Sequence, residues 1–439
     1  MRRYGRSMIE PLSILLLGSG GREHALAWKL RQSPHCHALY VAPGNPGIAS
    51  VATLVPALDI LDGEAVAAWA LATGIGLVVI GPEAPLAAGV ADAVSAVGIP
   101  VFGPSAAAAR LEASKSFTKA LCDEAGIPTA AYARFDALAP ALAHARAHQL
   151  PVVVKADGLA AGKGVTVAAT HAEAEAALRS LFEVAGAEVI IEAFLDGEEV
   201  SFFVLTDGAS ALPLVAAQDH KRVGEGDTGA NTGGMGAYAP ASVFTPELQE
   251  RAMADIVEPT LRLMAARGTP FTGVLFTGLM LTTDGPSLIE YNVRFGDPEC
   301  QVLMALLDSD LVEILLAAAT GRLSGHEAHW KPGVAATVVV AARGYPGTSA
   351  KGGAIAGLDA ARSDGAIVFH GGTALASDGQ LIATGGRVLS VTATGACVKT
   401  ATATIYAAIE KISFADGFCR ADIGWREIAR EDMFGERQR

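Results

Sequence analysis

Four apolar residues that run straight into a glycine-rich turn constrain this chain more than any other stretch. Residues 13–17 (SILLL) read as a buried strand, and Gly18-Ser19-Gly20-Gly21-Arg22-Glu23 follows at once. A helical pattern over 23–31 and a short strand near 38–41 complete a βαβ unit, which requires a parallel sheet with helices packed against it. At such a turn the first backbone N–H groups and the helix dipole favour an anion. A dinucleotide fingerprint does not fit, because Glu23 replaces the last glycine and no acid follows the second strand, which ends Val41-Ala42-Pro43-Gly44. A turn holding one phosphate and a purely structural turn both stay open.

The same alternation continues. Residues 77–80 form a strand ending in Gly81-Pro82-Glu83, 86–97 a helix stopped by Gly98, and Val101-Phe102 another strand. Residues 8–108 therefore read as a Rossmann-like domain whose loops 18–23, 43–46 and 81–83 lie at the carboxyl ends of strands, where such sheets bind ligands. Residues 1–7 read as a disposable extension and Met8 as an alternative start. A helix over 114–125 carries Lys115 in its first turn, against the helix dipole unless an anion lies close by. Strands at 152–155 and 165–167 flank a loop with three glycines and Lys163, the composition of a lid over phosphates. It is not a Walker loop, since no helix opens after it. Residues 189–192 and 200–205 are strands joined by Ala193-Phe194-Leu195-Asp196-Gly197-Glu198-Glu199. Residues 219–238 hold six glycines and no apolar period, a length that points to a binding loop. A long helix starts at Thr245-Pro246-Glu247, and from Val334 short strands and glycine-rich turns suggest a small α+β domain closed by a helix over 399–411.

The polar chemistry converges on 288–301, LIEYNVRFGDPECQ. Read as a strand, Ile289, Tyr291, Val293 and Phe295 share one face, and Glu290, Asn292 and Arg294 the other. A carboxylate and an amide oxygen one pleat apart suit Mg²⁺ that also touches substrate phosphates, and the guanidinium suits an anion. With 439 residues and 51% hydrophobic content there is material for about three domains, and no run of about 20 apolar residues suggests a membrane span. The net charge of −13 argues against nucleic acid as a partner. Five scattered cysteines without a CxxC pair favour reduced thiols and a cytoplasmic location.

In order along the chain, GSGGREHALAW (18–28), PGN (43–45), GPEAPL (81–86), SKSFTK (114–119), KADGLAAGKGV (155–165), IEAFLDGEEVSF (191–202), QDHKRVGEGDTGANTGGMGAY (218–238), EYNVRFGDPE (290–299) and GYPG (344–347) resemble the phosphoribosylamine–glycine ligase family of ATP-grasp enzymes. The resemblance implies an α/β and α+β multidomain chain: the Rossmann-like domain over 8–108, an ATP-grasp domain over 109–330 with a lid at about 128–194, and the C-terminal domain over 331–428. It implies a ligase that uses ATP to phosphorylate the carboxylate of glycine and then joins the acyl group to 5-phosphoribosylamine, a step of purine synthesis. By the family pattern Lys115 and Lys155 contact ATP phosphates, while Glu192, Phe194, Leu195 and Glu199 surround adenosine. Glu290 and Asn292 hold Mg²⁺ or Mn²⁺, and Arg294, with Lys155, serves the reacting anions. Gly18, Gly20, Gly21, Arg22, Glu23, Asn45, Pro82, Glu83, Asp219, Lys221, Asn231, Thr232, Gly233 and Met235 are expected at the two substrates. A monomer, with transient contact to the upstream amidotransferase, is the expected state.

The chain departs from the family pattern at a shortened 181–189 segment and at Ala193, Cys300 and Arg343, and residues 275–281 offer no second metal carboxylate. Two rivals stand beside this reading. One is a different ATP-grasp ligase or carboxylase, which NTGGMGAY at 231–238 would discriminate. The other is an NAD-dependent oxidoreductase, disfavoured by the missing acid after Val41.

Overall fold

The computed structural model describes residues 10–158, 164–363 and 365–437. The extension at 1–7, Met8 and Lys163 with the centre of its glycine loop lie outside the described residues. The opening run forms the middle strand, Leu12–Gly18, of a five-stranded parallel sheet. Cys36–Pro43 and Thr53–Leu54 lie on one side of it, Ile75–Ile80 and Val101–Phe102 on the other. The sheet is buried on both faces, which is why its strands read as continuous apolar runs. Ile14 and Leu16 enter one core with Ala25 and Leu26, whereas Leu15 and Leu17 enter another with Val66 and Val90. The single helix expected over 86–97 is two, Glu83–Ala87 and Val90–Ala96, because Gly89 between them is left-handed at φ 82°.

Both cores continue into a four-stranded antiparallel sheet ordered Ala211–Pro213, Glu198–Asp207, Thr272–Thr282, Gly285–Asn292. Phe203 and Phe276 join the first core, Phe202 and Leu275 the second. A smaller antiparallel sheet stands apart with its own core of Val152, Val154, Leu178, Val189 and Ile191. Its order is Tyr132–Phe135, Val189–Ala193, Val152–Ala156, Val165–Ala168. The strands at 189–193 and 198–207 thus belong to different sheets, and the segment between them bridges the gap.

The glycine-rich 219–238 stretch is more ordered than its composition suggests. Gln218–Asp219 pairs with Gly236–Ala239, which pairs in turn with Val334–Ala342 in the C-terminal sheet. Arg222–Gly224 and Thr228–Asn231 form a hairpin between them. Its tip is docked by buried Arg420, whose guanidinium donates to Asp227, Asp422 and the Arg222 carbonyl. Across the expected end of the last domain at 428, the helix Trp425–Arg437 packs back on the molecule, Arg430 pairing with Glu198 and Glu427. No helix among the described residues is long and apolar enough to cross a membrane.

Candidate active site

The small sheet, the four-stranded sheet and the 219–233 segment enclose a cleft of about 400 Å³. Lys155 reaches it from the end of the Val152–Ala156 strand, and Glu192 from the neighbouring strand. The Glu192 carboxylate lies 2.8 Å from Lys155 Nζ and 3.2 Å from Lys119 Nζ, and all three side chains are at most 5% exposed. Lys119 was not singled out from sequence, although SKSFTK places it one helical turn beyond Lys115. Lys115 Nζ donates to the Gly158 carbonyl at 3.0 Å. Burial lowers its pKa below the usual lysine value, and nearby Lys155 adds to this while Glu290 and Asp157 oppose it. The anion that a first-turn lysine asks for is Asp157. Its carboxylate accepts from the backbone N–H groups of Lys115 at 2.5 Å and Ser116 at 3.3 Å, and so ties the glycine loop to the helix N-terminus. Val153, Val167, Met280, Ile289 and Leu195 give the cleft an apolar side, with Phe194 41% exposed at its edge.

The 285–292 strand departs from simple alternation at one point. Opposite it, Leu279 pairs with Leu288 and Gly278 with Glu290, so Ile289 is the extra residue of a β-bulge. Ile289 was expected on the apolar face with Tyr291, Val293 and Phe295; instead it lines the cleft, and its carbonyl accepts from Lys155 Nζ at 3.3 Å. Leu288 takes its place in the core. Glu290 and Asn292 both face the cleft, and among the described residues neither side chain has a hydrogen-bond partner. Burial pushes the Glu290 pKa up, but Lys221, Lys155 and Lys115 outweigh it and hold the group ionised. A carboxylate and an amide oxygen left unpartnered side by side fit a hard divalent cation. Among the described residues no cluster of three or more His, Cys, Asp or Glu could hold a metal by itself, so substrate oxygens and water would complete the shell.

Arg294 sits between two carboxylates, with Nε 3.2 Å from Glu83 and Nη2 2.9 Å from Glu112. Glu112, which gave no signal in sequence beyond its place before SKSFTK, also accepts from the Val293 N–H at 2.8 Å. Burial raises its pKa, opposed by Arg294. Arg22 donates to Glu23 at 2.7 Å and to the Phe295 carbonyl at 2.8 Å, and reaches the cleft wall. Lys221 pairs with Glu199, and burial, which would lower its pKa, is outweighed by Glu199, Asp219 and Glu290. Arg387 comes from the C-terminal sheet and was also missed. It donates to the Gly233 carbonyl at 2.5 Å and to the Asp297 carbonyl, fixing the turn at 231–234 against the segment that follows the 285–292 strand. Asn231, Thr232 and Gly233 all line the cleft.

Several expected substrate residues lie elsewhere. Gly20 and Gly21 line a separate hollow of about 250 Å³ that shares Asp297 and Arg387 with the cleft. Glu23 is 1% exposed and closes its own turn by accepting from the Gly20 N–H at 2.6 Å. Gly18, at φ 124°, and Gly81 pack against that carboxylate so closely that a Cβ at either would overlap it. Asn45 donates to the Ser19 and His370 carbonyls and accepts from Gly47 and Ile48, which uses its amide fully. Pro82 precedes the Glu83–Ala87 helix as its N-cap and does not line the cleft. Met235 is fully buried in the C-terminal core. In this structure Gly18, Glu23, Asn45 and Met235 are thus engaged by protein, and Pro82 caps a helix outside the cleft lining.

Comparison with known proteins agrees with this layout. Residues 12–112, 113–300 and 335–426 match the family models for the N domain, the ATP-grasp (A) domain and the C domain of phosphoribosylglycinamide synthetase. The phosphoribosylamine–glycine ligase of Agrobacterium fabrum is 61% identical over 424 residues, covering 96% of this chain and 100% of that protein. That of Mesorhizobium japonicum is 59% identical over 424 residues, 96% of this chain and 99% of its own. The crystal structure of the Thermotoga maritima phosphoribosylamine–glycine ligase superposes with a TM-score of 0.81 at 31% identity, covering 94% of this chain and 100% of that one. The biotin carboxylase domain of Hydrogenobacter thermophilus 2-oxoglutarate carboxylase shares the fold at TM-score 0.69 and 17% identity, over 93% of this chain and 92% of its own. Matched in all three of its parts and along nearly its whole length, the chain belongs to the phosphoribosylglycinamide synthetase family.

Proposed function

We propose that this protein uses ATP to join glycine to 5-phosphoribosylamine, giving glycinamide ribonucleotide, ADP and phosphate through glycyl phosphate, the second step of de novo purine synthesis. The observation that carries the reading is one cleft that brings Lys115, Lys155 and Lys221 around the unpartnered oxygens of Glu290 and Asn292. A carboxylate is a poor acyl donor until its oxygen becomes a leaving group, and phosphoryl transfer relies on positioning and charge neutralisation. In this reading Lys115 and Lys155 meet the ATP phosphates, and the apolar side with Phe194 and Leu195 takes the adenine, Glu192 and Glu199 flanking the nucleoside. A divalent cation, Mg²⁺ or Mn²⁺, on Glu290 and Asn292 would neutralise phosphate oxygens. Arg294, held by Glu83 and Glu112, presents its remaining edge to the reacting carboxylate. Asp219, Lys221 and the 231–233 turn face the acceptor side. A monomer, a cytoplasmic location, transient contact with the amidotransferase that supplies the amine, and domain divisions near 108 and 330 belong to the same proposal.

The test is ADP release with Mg²⁺ and freshly generated phosphoribosylamine, glycine present or omitted, with mass detection of the amide. Turnover that needs both substrates and yields glycinamide ribonucleotide is expected. ADP release that follows a different acid or amine would replace the substrates and keep the nucleotide site.

A further inference from the structure

Eight acids line the cleft, and six of them are already engaged. Glu83 and Glu112 hold Arg294, and Glu192 holds Lys119 and Lys155. Glu199 pairs with Lys221, Asp297 with Arg387, and Glu299 accepts from Ser201 Oγ at 3.1 Å. That leaves Glu290, read above as a metal oxygen, and Asp219. Among the described residues no hydrogen bond or ion pair from another residue reaches the Asp219 carboxylate, whose donor is its own backbone N–H.

Its position is not accidental to the backbone. Asp219 pairs with Ala237 at the edge of the C-terminal sheet, so its main chain is fixed. Strand alternation turns Gln218 and His220 inward, 7% and 4% exposed, and sends Asp219 and Lys221 together into the cleft. The Lys221 ammonium is stabilised by the charges of Glu199, Asp219 and Glu290, and Asp219 and Glu290 line the same cleft.

Resting on the proposed reaction, we infer that Asp219 is a catalytic residue that removes the proton from the amine as it attacks the acyl phosphate. The amine nitrogen forms its bond to the carbonyl carbon of glycyl phosphate. The carbon–oxygen bond to phosphate breaks, and its electron pair leaves with inorganic phosphate. The nitrogen's surplus proton passes to the Asp219 carboxylate, which later releases it to water. A proton acceptor needs an oxygen that no neighbouring donor holds, and Asp219, like Glu290, is a cleft acid with both carboxylate oxygens free of donors from other residues. The groups facing it are Lys221, Glu199 and Glu299. Burial and the two carboxylates push its pKa up toward a useful base, against the pull of Lys221.

The experiment compares the two halves of the reaction in wild-type protein and Asp219→Asn. Glycyl phosphate is trapped with hydroxylamine as glycyl hydroxamate in the presence of ATP, Mg²⁺ and glycine; transfer is followed as glycinamide ribonucleotide from phosphoribosylamine. The expected result is a loss of about 100-fold or more in kcat for transfer, the usual scale for a general base, with a far smaller loss in hydroxamate formation. The acid limb of the wild-type kcat profile should also vanish in the variant. Equal loss in both halves, or transfer within threefold of wild type, overturns the role of Asp219 alone. Absence of glycyl hydroxamate from the wild-type protein overturns the reaction on which the inference rests, and with it the inference. Hydroxamate formation by the variant also reports that it is folded.

Discussion

Removing the charge of Glu192 is the sharpest perturbation of the site. One carboxylate neutralises two ammonium groups, at 2.8 and 3.2 Å, with all three at most 5% exposed. Glu192→Gln keeps the shape and one acceptor oxygen but leaves two cations facing each other in a region that burial already makes hostile to charge; the Lys119 pKa is lowered chiefly by desolvation, with Glu192 opposing. Breaking a buried pair costs about 3–5 kcal/mol. The lower end applies here, because Lys119 still donates to Thr129 Oγ1 at 2.7 Å and to the Ala130 carbonyl at 3.2 Å. Because the small sheet has a core of its own, the loss should fall there rather than on the whole molecule. Amide hydrogen exchange in the strand Val189–Ala193, measured without nucleotide, should accelerate about 100-fold for a local loss of about 3 kcal/mol, while exchange in Leu12–Gly18 stays unchanged. Exchange within threefold of wild type in both strands would refute the claim that Glu192 is the electrostatic centre of this sheet.

Glu112→Gln should lower kcat/KM for glycine about tenfold or more, since an ionised partner holding Arg294 is worth about 1.5–3 kcal/mol; steady-state kinetics that match wild type would show that Glu83 suffices. Glu290→Ala should abolish turnover while circular dichroism and thermal midpoint stay near wild type, and a variant with a near-normal rate would remove Glu290 from the metal site. Stability should also fall in mild acid. Burial lowers the pKa of His24 to about 3, helped by His370 and Arg362, and that of His370 to about 4, helped by Arg362. Both depressed values mean that the unfolded chain binds more protons below its ordinary histidine pKa of about 6.5. The stability is therefore complete above that pH and is lost as pH falls toward 4, at about 2.7 kcal/mol per pH unit where both groups differ in charge. Urea midpoints measured from pH 7 to 4.5 in wild type and His24→Gln test this, the variant losing about half the slope.

Much of the frame was legible because it rests on local pattern. Continuous apolar runs and glycine stops marked the parallel sheet, and the hairpin around 283–285 was set by its turn residues. What stayed hidden depends on contacts between distant segments. The bulge at Ile289 follows from pairing with 278–279, and nothing in LIEYN announces it. Lys119, Glu112 and Arg387 look like ordinary surface residues until the helices and the C-terminal sheet carry them to the cleft. In the same way the family resemblance places Glu23 and Asn45 at the substrates, while their hydrogen bonds to nearby backbone are visible only in three dimensions. The helix Trp425–Arg437 escaped notice because its strongly charged sequence resembles a solvated tail.

The pairing of edge strand 218–219 with 236–239, and of 236–239 with Val334–Ala342, has a consequence for how the protein is made. On the ribosome the segment that carries Asp219 and Lys221 emerges about a hundred residues before the strand it must pair with. The parallel sheet and the small sheet can close early, but the 219–233 side of the cleft has no template until about the last quarter of the chain, from 334 on, is made. A nascent or truncated chain ending before 334 would thus bring Lys115 and Lys155 into place without placing Asp219 and Lys221. Order of synthesis separates the two sides of the cleft.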